Sequence, residues 1–97
     1  MSSQALDARK RLTDTIVRWG GEEFLAVLPV SLEGAVVFCE RARSEINTLR
    51  FSEIGNVTIS AGVADRRAGE TPETVLRRAD ERLYQAKADG RNRVRAS

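Results

Sequence analysis

The chain has 97 residues, of which 41% are hydrophobic and 31% charged, with a formal net charge of +2. That length supports one modest core, so the chain is one domain or a piece of one. The composition fits a globular class and argues against long disorder.

The composition excludes several functions. No apolar run approaches the roughly 20 residues that cross a bilayer. The start, Met1-Ser2-Ser3-Gln4, lacks the apolar segment of a secretion signal, so a cytoplasmic protein is expected. Cys39 is the single cysteine and there is no histidine, which excludes an internal disulfide and nearly excludes structural zinc. Any metal would be a hard cation held by carboxylates and phosphates. A pI of about 9.2 gives weak support to an anionic ligand, and the net charge is too small to imply nucleic acid.

In chain order, Gln4 to Thr13 reads as the end of a helix with Ala5, Leu6, Ala8 and Leu12 as its apolar members. Ile16-Val17, ending at Arg18-Trp19, and Phe24 to Leu28 are apolar runs around Gly20-Gly21. This predicts a β-hairpin, because glycine supplies the positive φ of such turns. Ser31 is the predicted N-cap of a helix reaching Thr48, with Leu32, Ala35, Val36, Cys39 and Ile46 at helical period. A polar loop with Gly55-Asn56 follows. Val57 to Ala64 alternates as a strand. Thr71-Pro72 opens a helix whose stripe is Val75, Leu76, Ala79, Leu83 and Ala86, and Gly90 stops it. Asn92 to Val94 is a candidate last strand, and Trp19 and Tyr84 are expected to pack. The order predicts an α/β sandwich of the α+β kind, a mainly antiparallel sheet flanked by helices.

Gly20-Gly21-Glu22-Glu23-Phe24 is the most informative stretch. Two glycines let the backbone approach a phosphate or purine closely, and two carboxylates at a hairpin tip suit a divalent cation. By turn chemistry alone, the same residues make an ordinary acidic, solvated turn. Lys87 and Arg91, four apart at a helix end, equally complement the helix dipole. Arg11-Leu12-Thr13-Asp14 is by itself a common surface ion pair.

Together these segments resemble the GGDEF family of diguanylate cyclases. Arg18-Trp19 with the Gly-Gly-Glu-Glu-Phe loop resembles the signature hairpin, with Glu-Glu for Asp-Glu. Glu40-Arg41-Ala42-Arg43, Val57 to Ala64, and Ala79 to Lys87 closing on Gly90-Arg91-Asn92 resemble the later helix, strand and last helix. The ordered match is far more specific than one pentapeptide.

The resemblance implies a nucleotidyl-cyclase-like fold, with residues 1–97 as a single partial domain lacking its first strand. It implies condensation of two GTP into cyclic di-GMP with release of pyrophosphate, assisted by Mg²⁺ or Mn²⁺ in the complete domain. Glu22 would be the metal ligand, with Glu23 supporting the metal or the attacking hydroxyl. Gly20 and Gly21 would lie against the nucleotide, and Lys87 and Arg91 would reach the terminal phosphates. Arg11 and Asp14, with Arg41, would form the product-inhibition site, where arginine forks suit phosphate and guanine.

The family's opening half, with an Asp-x-Asp-x-Phe-Lys strand, has no counterpart in these residues. The chain is therefore expected to be inactive alone and to associate as a homodimer or larger through the edge left open by a missing central strand. The alternative is a non-catalytic cyclic di-GMP-binding module working through the Arg-x-x-Asp site. A third reading is a structural remnant with neither ligand nor activity.

Overall fold

The computed structural model describes residues 15–21, 23–48, 50–51, 55–56 and 58–97. The helix expected over Gln4 to Thr13 lies outside this set. The first described element is β1 (Thr15–Gly20), a β-branched run, and it turns at Gly21 (φ 128°) into β2 (Phe24–Leu28). The hairpin register runs from Thr15 opposite Leu28 to Trp19 opposite Phe24. These last two rings stack with centroids 6.1 Å apart. Helix α1 (Leu32–Thr48) follows. Its first turn is capped by Ser31, whose Oγ accepts from the Gly34 N–H at 3.1 Å.

Two short strands, β3 (Arg50–Phe51) and β4 (Gly55–Asn56), pair with each other in the stretch expected to be loop. Strand β5 (Ser60–Asp65) then runs antiparallel to β1. Helix α2 (Pro72–Ala88) starts at Thr71, whose side chain accepts from the Thr74 N–H, with Pro72 in the first turn. Strand β6 (Val94–Arg95) closes parallel to β5.

The main sheet has the order β2-β1-β5-β6, with a helix on each face. Strand alternation sorts the side chains between the helices. Val17, Trp19, Ala61 and Val63 meet Ala35 and Cys39 of α1. Ile16 and Ala64 meet Val75 and Ala79 of α2. Burial pushes the Cys39 thiol up to about 12, so it is inert at neutral pH.

The α2 face is closed by small residues. A Cβ at Gly62 would overlap the backbone of Ala79 and Leu83. The loop before α2 is clasped by Arg78. Its guanidinium donates to both oxygens of Glu70 at 2.7 and 2.8 Å and to the Asp65 carbonyl at 2.9 Å. The Arg78 bond, helped by the Arg67 N–H, lowers the Glu70 carboxyl to about 2.

Several expectations need correction. The strand expected over Val57 to Ala64 begins at Ser60, because its partner β1 ends at Gly20, which pairs with Ser60. The last strand is Val94–Arg95 rather than Asn92 to Val94. Asn92 has φ 50°, which no strand residue adopts. Tyr84 does not pack: it is 70% exposed, whereas Trp19 is buried as expected. The sheet also has no gap at its centre, because β1 pairs on both sides. Among the described residues the sheet ends on β2 and on the two-residue β6; β2 is the longer edge, and its Phe24, Leu25 and Val27 are all exposed.

The Gly62 contact predicts a sharp contrast between two glycines. Gly62→Ala should lower the unfolding free energy by about 3 kcal/mol, the upper end for overpacking a core. Gly34→Ala, where the nearest atoms to a new Cβ are 3.4 to 3.7 Å away, should be neutral or stabilising. Urea denaturation of both variants reads the difference, and equal midpoints would refute the close-packing account.

Candidate functional site

The hairpin tip and the last turns of α2 meet on one face of the sheet. Gly20 makes this possible, since a Cβ there would lie 2.6 Å from Lys87 Cε and 2.9 Å from Leu83 Cδ1. The Lys87 stem crosses that bare backbone, and its ammonium donates to Glu23 Oε2 at 2.5 Å, across 64 residues of sequence. Both side chains are partly exposed, so the pair adds little to stability.

Beside it, Arg18 Nε lies 3.2 Å from Asp80 Oδ1. These four charged groups, with Leu83 and Tyr84, line an open cleft of about 250 Å³. The Lys87 hydrogen bond and charge, with a smaller contribution from Arg18, hold the Glu23 carboxyl below its ordinary value. The arrangement is two cations interleaved with two carboxylates beside the bare backbone of Gly20. A polyanion entering here would compete with Glu23 for the Lys87 ammonium.

The expected site residues are only partly united. Gly20, Gly21, Glu23 and Lys87 sit at or beside the hairpin tip. Arg91 is exposed beyond the end of α2 and is not part of the cleft wall. Arg41 is exposed on α1, on the opposite face of the sheet from α2. Arg11, Asp14 and Glu22 lie outside the described residues. Sequence reasoning missed Arg18, Asp80 and Tyr84 as cleft residues. The signal was present, since Asp80, Tyr84 and Lys87 are spaced i, i+4, i+7 along one helix face.

On the α1 side, a larger apolar groove of about 650 Å³ runs from Gly20-Gly21 past Trp19, Phe24 and Leu28 to Phe38 and Ile46. Among the described residues no three His, Cys, Asp or Glu side chains converge as cation ligands, and Glu23 is taken by Lys87. Carboxylate oxygens suit Mg²⁺ or Mn²⁺, and Glu22, the expected ligand, lies outside the described residues, whose own carboxylates do not complete such a site. No helix among the described residues is long and apolar enough to cross a membrane.

The sequence model of the family described as "Diguanylate cyclase, GGDEF domain" matches residues 1–93. Diguanylate cyclase DgcM of Escherichia coli (strain K12) is 38% identical over 96 residues, covering 98% of this chain and 23% of DgcM. The chain thus spans about a quarter of the length of that curated relative. The crystal structure of the GGDEF domain of DgcB from Caulobacter crescentus, in complex with c-di-GMP, superposes with a TM-score of 0.70 at 36% identity. That match covers 79% of this chain and 48% of the other. The structure of the active GGEEF domain of a diguanylate cyclase from Vibrio cholerae shares the fold, with a TM-score of 0.82 at 22% identity. It covers 97% of this chain and 88% of that one.

The ion pair at the cleft fixes a pH dependence. A carboxyl held below its unfolded pKa stabilises the fold above that unfolded value, and the contribution is lost as pH falls through the folded pKa. Carboxyl-detected NMR titration should find Glu23 below the ordinary glutamate value, and Lys87→Met should return it to the ordinary range. An unchanged Glu23 titration in that variant would break the link.

Proposed function

Because the chain belongs to the GGDEF domain family of diguanylate cyclases, we propose that it carries the hairpin and basic helix end of a domain joining two GTP into cyclic di-GMP. In this reaction the 3′-hydroxyl of one nucleotide attacks the α-phosphate of the other. A new P–O bond forms as the hydroxyl gives up its proton, the bond to the β-phosphate oxygen breaks, and pyrophosphate leaves; the reciprocal attack then closes the ring and releases the second pyrophosphate.

The observation that supports this reading is the meeting of Lys87 and Glu23 over Gly20. An ammonium fixed at a cleft mouth by a neighbouring carboxylate is already placed for a triphosphate. Arriving phosphate oxygens replace Glu23 as its partner, and Glu23 is then released toward the attacking hydroxyl. Gly20 and Gly21 leave the backbone open to the nucleotide. Glu22, together with nucleotide phosphates, would hold Mg²⁺, which supplies charge neutralisation and activates the hydroxyl when bound. The chain alone is read as inactive, since Mg²⁺ seeks octahedral oxygen coordination and one carboxylate supplies little of it.

A second reading, cyclic di-GMP capture through Arg11, Asp14 and Arg41, draws on the c-di-GMP held by the DgcB domain. One calorimetric series separates the two. Titrated with Mg²⁺-GTP, the chain should bind, and Lys87→Ala should weaken binding about tenfold, the order of one charge-assisted hydrogen bond. No pyrophosphate should be released. Equal GTP binding by both proteins sinks the Lys87 assignment, and turnover sinks the inactivity. Cyclic di-GMP binding that Arg11→Ala abolishes, without any GTP binding, would favour the second reading.

Homo-association is proposed through the β2 edge. Phe24–Leu28 carries no charge and no proline, the devices that usually block strand addition. Light scattering should find a dimer or larger, and Val27→Lys should shift it toward monomer. A monodisperse wild-type monomer would exclude this edge as an interface.

A further inference from the structure

Three consecutive residues after α2 have positive φ: Gly90 (121°), Arg91 (62°) and Asn92 (50°). The first is explained by helix termination. The Arg91 N–H donates to the Ala86 carbonyl at 2.9 Å and the Gly90 N–H to the Lys87 carbonyl at 3.3 Å. That pattern needs one left-handed residue, and glycine fills it without steric cost. Arg91 and Asn92 then continue in the left-handed region, which asparagine enters readily but arginine adopts only under constraint. Stopping the helix does not require them to do so.

The constraint is visible around Asn92. Its N–H donates to Ser60 Oγ at 3.0 Å, anchoring it to β5. Its Oδ1 accepts from Arg43 Nη1 at 3.0 Å, across 49 residues, anchoring it to α1. Arg43 is itself steered by Glu40 at 2.8 Å. The Arg91 carbonyl accepts from Arg93 Nε at 3.1 Å, and the Arg93 carbonyl accepts from the Ala61 N–H at 3.0 Å. The turn is therefore tied to both helices and to the sheet. Within it the Arg91 guanidinium is exposed and makes no hydrogen bond or ion pair among the described residues. A strained turn, fastened on every side, presents one uncommitted guanidinium one turn beyond Lys87.

We propose that Asn92 and Arg43 are positioning residues, holding the 90–92 turn so that Arg91 meets the terminal phosphates of the nucleotide bound at Lys87. This rests on the phosphate reading of the cleft given above and extends it to residues that touch no ligand. Arg43 and Asn92 act through Arg91, by fixing its backbone before the nucleotide arrives. Pre-ordering removes part of the entropy that a mobile arginine would lose on binding.

The test is a double-mutant cycle read by calorimetry with Mg²⁺-GTP on this chain. Arg91→Ala should weaken binding about tenfold, as for one charge-assisted contact. Asn92→Gly keeps a residue at home in the left-handed region and deletes only the side-chain anchors, so thermal stability should hold while affinity falls several-fold. In the Arg91→Ala background, Asn92→Gly should cause no further loss, because both act through the same group. Arg43→Ala, which cuts the same bond from the α1 side, should give the same pattern and stands in if Asn92→Gly fails to fold. Additive losses, or an Arg91-dependent affinity indifferent to Asn92 and Arg43, overturn the positioning role alone. Affinity indifferent to both Lys87→Ala and Arg91→Ala overturns the phosphate reading and this proposal with it.

Discussion

The close approach of α2 to the sheet is the constraint on which the rest depends. At Gly62 the helix backbone at Ala79 and Leu83 lies where a side chain would otherwise be. Ala64 and Ala79 are fully buried beside it. Dispersion falls off steeply with distance, so a helix seated this closely is held firmly in both height and rotation. The Arg78 clasp on Glu70 and Asp65 fixes its first turns. The bond from Arg82 to the Val63 carbonyl, at 2.7 Å, fixes the middle. Burial lowers the Arg82 pKa, yet a guanidinium stays charged throughout the ordinary range. What remains free is the direction of the last two turns, and Gly20 settles it by letting Lys87 cross β1.

The electrostatics follow from that seating. A lysine on a loop would sample many positions, and its ion pair with Glu23 would add nothing measurable. On a helix pressed against glycine, the ammonium has few alternatives to the hairpin tip. Arg18 and Asp80 repeat the device two strand residues and two helix turns away, so charge alternates along the cleft. The site is near neutrality before any ligand enters. Binding of a polyanion there is an exchange of partners at fixed cations. Such an exchange carries a small reorganisation cost, which is the advantage of preorganised charge in phosphoryl chemistry.

How much of this was legible in the sequence varied with the range of the deciding interaction. Local chemistry read well: the Ser31 and Thr71 caps, the Gly20-Gly21 turn and the helix stop at Gly90 all stand. The family was legible because several segments recur in one order. The start of β5 was not, since Thr58 and Ile59 carry the same alternation as Ser60 to Ala64. Only the length of β1 decides where pairing begins. Tyr84 read as core because it is aromatic, whereas its helix angle, offset from Val75, Ala79, Leu83 and Ala86, turns it outward. The meeting of Lys87 with Glu23 depends on a glycine 67 residues before the lysine, and no local pattern encodes it.

The two faces of the sheet differ in a way that bears on how such a domain works. The α2 face is sealed by glycine and alanine, and it carries the charged cleft. The α1 face buries Val17, Trp19 and Cys39 but leaves a broad apolar groove beside β2, with Phe24 and Phe38 more than half exposed. Apolar surface of this kind seeks cover, whereas on the tight face the exposed large side chain is Tyr84 at the cleft. Association or rearrangement is therefore directed to the β2 and α1 side. The hairpin belongs to both sides: Gly20 seats Lys87, while Gly20, Gly21 and Phe24 border the groove. The turn that carries Glu23 therefore lies between the apolar groove of one face and the charged cleft of the other.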